Sequence, residues 1–216
     1  MSLIIIDYGS GNLRSAAKAF QKVADGKTKV STSSCPEAVA KSDYVVLPGV
    51  GTFPDCKKGL SALPGMIDSL QEHIVVRGRP FLGICVGMQL TASMGHELTQ
   101  TRGLDWFSAS VCKIDFLQNE DAHNNLKVPH MGWNQLKIKR RGHPVLDGIS
   151  EDLYFYFAHS FHMQLDNNNE IMATTEYGGP ITAMVGRDNV LGTQFHPEKS
   201  QAAGLQMLEN FLKWRP

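Results

Sequence analysis

Cysteine is scarce in this sequence and never closely paired. Cys35, Cys56, Cys85 and Cys112 stand 21, 29 and 27 residues apart, with no CxxC among them. That spacing excludes the common zinc layouts and the dithiol redox motif. It also argues against a secreted disulfide framework in a chain of 216 residues. An excess of charge of either sign is missing too. Lys and Arg together number 21, as do Asp and Glu, so there is no basic excess to hold a nucleic acid. No window holds 18 consecutive apolar residues, so no membrane span is predicted. The N-terminal apolar run stops at Asp7 and has no basic flank, so it does not read as a signal peptide. Together these absences predict a protein of a reducing, cytoplasmic compartment. At about 150 residues per domain, residues 1–216 read as a single domain, large enough to bury its own core.

The first half alternates short apolar runs with helical spacing. Leu3–Ile6, a weak run around Val30, Tyr44–Leu47 and Phe81–Cys85 read as strands. Leu13–Val23, Leu60–Val76 (broken at Pro64-Gly65) and Val86–Met94 read as helices. In the second half Val111–Phe116, Gln135–Lys139, Leu153–Phe157, Ile171–Thr175, Ile181–Val185 and Val190–Phe195 follow one another as strands. Residues 199–213 form a closing helix, and 117–130 a polar surface loop. The expected fold is α/β: a central, mostly parallel sheet flanked by helices, with antiparallel additions to that sheet in the C-terminal half. The basic run Lys137, Lys139, Arg140, Arg141 reads as a solvated strand end.

Gly9-x-Gly11 follows the first strand, but Arg14 stands where a dinucleotide fingerprint needs its third glycine. It reads as a tight turn, and nothing resembles a Walker A loop. The sharpest signal is Gly83-Ile84-Cys85-Val86-Gly87, between a buried strand and a helix. That is a nucleophile elbow with cysteine at its tip. A strand-to-helix turn so sharp needs small residues two places either side of the tip, and it sets the sulfur at a helix N-terminus. A base for the thiol is available in His196-Pro197-Glu198. If this segment is extended, His196 and Glu198 point the same way. The carboxylate can then hold one ring nitrogen while the other faces Cys85. Pro48-Gly49-Val50-Gly51 also follows a buried strand and should meet the elbow at one sheet edge, where backbone N–H groups can form an oxyanion hole. His159 and His162 share a segment, but no third metal ligand accompanies them, and they read as core or partner-facing histidines.

Gly83-Ile-Cys85-Val-Gly-Met-Gln89, Pro48-Gly-Val-Gly51 and Phe195-His196-Pro-Glu198 resemble the three signatures of the class I (triad) glutamine amidotransferases. More narrowly, Asp7-Tyr-Gly-Ser-Gly-Asn12-Leu-Arg-Ser15, Met131-Gly-Trp133-Asn134 and His196-Pro-Glu-Lys199-Ser200 resemble the glutaminase subunits of imidazole glycerol phosphate synthases. The motifs run from residue 7 to residue 200. The resemblance implies Cys85, His196 and Glu198 as a catalytic triad acting on L-glutamine through a thioester. It implies Val50, Gly51 and Val86 as the oxyanion hole. Gln89, Glu97, Ser160 and Phe161 would bind the amino-acid end of the substrate. It implies no cofactor and no metal. The ammonia would be used in histidine biosynthesis by a separate cyclase subunit. That partner would be a (β/α)₈ barrel contacted by Asn12, Trp133 and Lys199. Two positions depart from the common pattern: Val86, where leucine is usual, and Phe161, where a hydroxylated aromatic is usual. Glutaminases of vitamin B6 or aminobenzoate synthesis, a non-catalytic module on the same fold, and a cysteine peptidase are the alternatives. The Asp7–Asn12 and Met131–Asn134 motifs, the complete triad, and the Pro48–Gly51 loop with Gln89 argue against them in turn. The Gly49-Val50-Gly51 peptide is flexible enough to turn its N–H groups, so partner binding is expected to order this hole.

Overall fold

A computed structural model describes residues 1–115 and 126–216. Phe116 and most of the expected 117–130 loop lie outside the described residues. The strands in chain order are β1 (Ser2–Ile6), β2 (Lys29–Ser33), β3 (Tyr44–Gly49), β4 (Phe81–Cys85), β5 (Ala92–Gly95), β6 (Thr101–Arg102) and β7 (Phe107–Lys113). There follow β8 (His130–Gln135), β9 (Lys137–Ile138), β10 (Tyr154–His159), β11 (Phe161–Leu165), β12 (Ile171–Glu176), β13 (Pro180–Arg187) and β14 (Val190–Thr193). The helices are α1 (Leu13–Ala24), α2 (Pro36–Ala40), α3 (Phe53–Ser61), α4 (Met66–Leu70) running into a π-helical turn at Gln71–Val76, α5 (Val86–Gln89) and α6 (Gln201–Lys213).

Eight strands form the main sheet in the order β2-β1-β3-β4-β14-β13-β12-β9. The pairings from β2 to β14 are parallel, and those from β14 to β9 are antiparallel. The parallel interior is apolar on both faces. Every residue of β3, β4 and β14 is buried, whereas the edge strand β2 carries exposed polar positions. The helix α1 turns Ala16, Ala19, Phe20 and Ala24 inward at helical spacing. It packs against α6, with Phe20 edge-on to Phe211 at 6.2 Å and Phe211 on Tyr44 of β3 at 5.5 Å.

The second half departs from the expected single sheet. Only β9, β12, β13 and β14 join it; β5, β6, β7 and β11 form a separate four-stranded sheet, and β8 pairs with β10 as a two-stranded ribbon. The expected helix over Val86–Met94 ends at Gln89, because the chain turns into β5 and joins the small sheet. The expected strand Gln135–Lys139 divides at the buried Leu136 between β8 and β9, which belong to different sheets. Pro64-Gly65 does break the helical stretch, and Gly65 takes a left-handed conformation ahead of α4. The basic run is largely engaged: Lys137 pairs with Glu176 at 3.1 Å, Arg141 with Glu151 at 2.9 Å, and Arg140 donates to the Gly186 carbonyl.

The centre of the parallel half is packed backbone on backbone. Gly49 lies opposite Cys85 in the β3–β4 register. A Cβ on Gly49 would sit 2.5 Å from the Gly87 nitrogen, and one on Gly83 would sit 2.6 Å from the Gly87 carbonyl oxygen. One on Gly87 would meet the Leu47 carbonyl oxygen at 1.8 Å. None of these neighbours is a side chain that can swing aside. Gly87→Ala is therefore expected to lower the unfolding free energy by about 3 kcal/mol or more, read as a shift in the urea midpoint. The same change at Gly132, with nothing within 4 Å of its virtual Cβ, tests only the cost of its positive φ.

Candidate active site

The strand β4 delivers Cys85 to the carboxyl edge of the sheet and stops there. Cys85 has φ 55° and ψ −116°, a conformation that non-glycine residues rarely adopt. The tight glycine packing around it forces the turn, and the sulfur is brought to the C-terminal ends of the parallel strands. The neighbouring strand β14 delivers His196 just past its own end, where the His196 N–H donates to the Tyr156 carbonyl at 2.9 Å. His196 Nδ1 lies 2.9 Å from Glu198 Oε1, and both side chains are almost wholly buried. His196 itself is extended, as Pro197 favours, but the extended geometry does not continue to Glu198. Pro197–Lys199 is a 3₁₀ turn with His196 at its N-cap, and the pair meets across that turn. Among the described residues, the second Glu198 oxygen is buried without a hydrogen-bond partner.

Burial alone would lower the basicity of His196. Hydrogen bonds and charge from Cys85 and Glu198 outweigh it and raise the imidazole from its usual 6.5 to about 9. Two nearby histidines behave oppositely. Burial pushes His130 down to about 4 and His159 to about 3. His159 Nδ1 donates to the Phe161 carbonyl at 2.8 Å, which leaves its Nε2 to accept from His130 Nδ1 at 3.0 Å. Asn134 Nδ2 reaches His130 Nε2 at 3.3 Å. His162, by contrast, has Gln164 as its neighbour, so His159 and His162 do not act as a pair.

A cavity of about 310 Å³ opens in front of the sulfur. Val50, Gly51, Cys85, Val86, Gln89, Glu97, Ser160, Phe161 and His196 all line it, so these predicted site residues come together, with Glu198 behind the imidazole. Gln89 Nε2 donates to the Phe161 carbonyl at 3.0 Å and to Gln194 Oε1 at 2.9 Å. Glu97 Oε2 accepts from the Phe53 N–H at 2.7 Å, at the start of α3. The Val50 N–H donates to Ser10 Oγ at 3.3 Å, and the Ser10 hydroxyl donates to the Val50 carbonyl. The Gly9-x-Gly11 turn thus grips the Pro48–Gly51 loop, with Gly11 against Pro48.

Asn12 sits at the N-cap of α1 but makes no capping bond. Trp133 is 46% exposed and meets Tyr156 edge-on at 5.8 Å, while Lys199 lies 5.7 Å over the same Tyr156 ring. Trp133, Tyr156 and Lys199 form one surface, continued by the exposed Met131 of β8. Sequence reasoning missed Tyr156, Ser10 and Gln194. The last stands two residues before His196, a spacing that could have drawn attention to it. The helix expected to back the sulfur is the single turn α5, so the close partners of Cys85 are side chains.

A thiol beside an imidazole, itself held by a carboxylate, is the arrangement that acyl transfer through a thioester requires. The family model for glutamine amidotransferase class-I matches residues 4–214. The chain belongs to the class I glutamine amidotransferases. It is 51% identical over 218 residues to the imidazole glycerol phosphate synthase subunit HisH of Ruegeria pomeroyi, and 48% over 222 residues to that of Rhodopseudomonas palustris. Both alignments cover 100% of this chain and of the relative. A crystal structure described as a glutamine amidotransferase superposes with a TM-score of 0.71 at 16% identity, covering 97% of each chain. A glutamine amidotransferase from Thermotoga maritima gives 0.68 at 15%, covering 99% of this chain and 96% of its own. Such distant amidotransferases share the fold with this chain. No helix among the described residues is long and apolar enough to cross a membrane.

Because the folded value of His196 lies above 6.5, its protonation stabilises the fold fully below pH 6.5. That contribution is lost as the pH rises through about 9. A histidine ¹⁵N NMR titration should show His196 protonated at pH 7 and releasing its proton near 9, with His130 and His159 neutral throughout. Glu198→Gln should move the His196 transition to lower pH.

Proposed function

We propose that residues 1–216 act as one glutaminase domain, the amidotransferase subunit of an imidazole glycerol phosphate synthase. The observation that supports the reading most is the cavity that gathers Cys85, His196 and the Val50-Gly51 backbone, with Glu198 behind the histidine. In this reading the Cys85 thiolate adds to the side-chain carboxamide carbon of L-glutamine. The carbonyl electron pair moves onto oxygen, where the backbone N–H groups of Val50, Gly51 and Val86 receive it. His196 gives its proton to the departing nitrogen, and ammonia leaves a thioester on Cys85. A water molecule, deprotonated by His196, attacks that thioester and releases glutamate and free thiolate. Glu198 fixes the ring and favours its charged form.

The amino-acid end of the substrate finds both signs it needs. Gln89 has committed its amide hydrogens to Phe161 and Gln194, so its oxygen and Glu97 are the groups left for the substrate ammonium. The carbonyls of Ser160 and Phe161 already accept bonds from the Ile114 N–H and from Gln89 and His159. Backbone N–H groups of that corner remain for the substrate carboxylate. Phe161 stands where relatives of the resemblance carry a hydroxyl, and a backbone role does not need one.

Two relatives named as synthase subunits match along their whole length. That supports ammonia being used by a separate cyclase, a (β/α)₈ barrel converting a ribonucleotide intermediate to imidazole glycerol phosphate and an aminoimidazole carboxamide ribonucleotide. The Trp133–Tyr156–Lys199 surface, with Asn12 on the adjoining α1, is the proposed docking face. A cytoplasmic location accords with this pathway and with four free cysteines.

The deciding assay is glutamate release from glutamine by this chain alone and with the cyclase partner in the presence of its nucleotide ligand. A large rise with the liganded partner is expected, and Cys85→Ala should cut it by about a thousandfold or more. Turnover that ignores the partner would remove the pathway assignment. Ser10 occupies the Val50 N–H in this structure, so the oxyanion hole forms fully only once that bond is exchanged. A hydrogen bond of about 1 kcal/mol corresponds to about a fivefold rise in partner-free glutaminase for Ser10→Ala, measured by coupled glutamate detection.

A further inference from the structure

Gln194 is wholly buried and stands at the junction of the sulfur and the substrate-binding amide. Its backbone N–H extends the β14–β13 ladder by donating to the Ala183 carbonyl at 2.9 Å, so its Cα cannot wander. The orientation of its side chain follows from fixed acceptors. The Phe161 carbonyl can only accept, so the Gln89 atom 3.0 Å from it is the nitrogen. That same nitrogen lies 2.9 Å from the Gln194 amide, which must therefore present its oxygen there. The remaining Gln194 nitrogen is then left to point at Cys85, 3.6 Å from Sγ. The chain of donors runs one way, from Gln89 into Gln194 and from Gln194 into the sulfur.

We infer that Gln194 is a second hydrogen-bond donor to the Cys85 sulfur, and that it ties the nucleophile and the substrate-binding Gln89 into one rigid unit. This inference rests on the glutaminase reading of the site. The chemistry favours a carboxamide at this place. Cys85 is only 4% exposed, so water supplies little of the hydrogen bonding that a charged sulfur needs. Gln194 offers a dipole without a net charge and without a proton to give up. It therefore steadies a thiolate without competing with His196 for the proton that must reach the leaving ammonia. A lysine or second histidine would compete, and a carboxylate would repel the sulfur. The bond to Gln89 adds a further effect: displacing Gln194 frees an amide that lines the substrate cavity, so nucleophile and substrate site are disturbed together.

The test uses the full chain with its cyclase partner. Gln194→Met keeps length and Gln194→Leu keeps an apolar side chain of similar volume; both remove the donor to sulfur and the acceptor for Gln89 without adding charge. Iodoacetamide alkylation of Cys85 is followed against pH by peptide mapping, which separates it from the other three cysteines. In both variants the inflection should move up by about one pH unit, with alkylation at pH 7 about tenfold slower. Glutaminase kcat should fall by at least tenfold in both, and KM for glutamine should rise in both, because Gln89 loses its anchor. Wild-type alkylation profiles and kcat in a cooperatively folding variant would overturn the inference. If Gln194→Met fails to fold, Gln194→Leu decides on the same two readouts. A wild-type chain that turns over no glutamine with its partner would instead refute the glutaminase reading, and the alkylation profile would still decide the bond to sulfur.

Discussion

Three backbones share the space of one where β3, β4 and α5 converge. Gly49, Gly83 and Gly87 allow main-chain atoms to approach within distances that any Cβ would close. The rest of the site depends on this contact. It bends the chain sharply enough to put Cys85 at a positive φ, and it brings the Pro48–Gly51 loop alongside. It also leaves room for β14 on the far side, where Gly192 lies under Met88. From β14 come Gln194 and His196. Cys85 keeps its strained conformation because the surrounding sheet is too well packed to let it relax.

The histidines show how partners decide charge at similar burial. His159 and His130 lie in a chain of neutral acceptors and donors, and burial there drives them to lose their protons. His196 is comparably buried, yet it gains two anionic or potentially anionic neighbours and stays protonated well above neutrality. One end of the cavity wall is thus electrically silent and rigid, while the other carries the proton in play. The silent histidines still matter to geometry, since His159 and Gln89 share the Phe161 carbonyl and so fix the corner between β10 and β11.

Much of this was legible in the sequence because it rests on local rules. Continuous apolar runs marked β1, β3 and β4, and the glycines two residues either side of Cys85 marked the elbow. What was not legible depends on partners distant in sequence. Alternation marked most of the later strands but could not say which sheet each joins. β7 and β10 were therefore expected in the main sheet but pair elsewhere, while β11 and all of β8 except Gln135 were not expected as strands. A single turn such as α5 carries too few residues for a period to register. The contact between His196 and Glu198 was expected for an extended segment and arises from a 3₁₀ turn, since Pro197 suits both conformations. Gln194 and Ser10 went unnoticed because glutamine and serine are common anywhere. Their roles appear only when Gln89, Cys85 and Val50 are brought to them across the fold.

The place of β14 in the sheet has a consequence for how the protein is made. It lies between β4 and β13, although about a hundred residues separate it from β4 in the sequence. While the chain emerges from the ribosome, one edge of β4 stays unpaired until Val190–Thr193 has been synthesised, and pairing over so long a separation is slow. Cys85 is therefore born without its imidazole. The insertion of that late central strand closes the sheet and brings His196 and Glu198 to Cys85 in a single event, so a partly synthesised chain holds the thiol without its proposed partners.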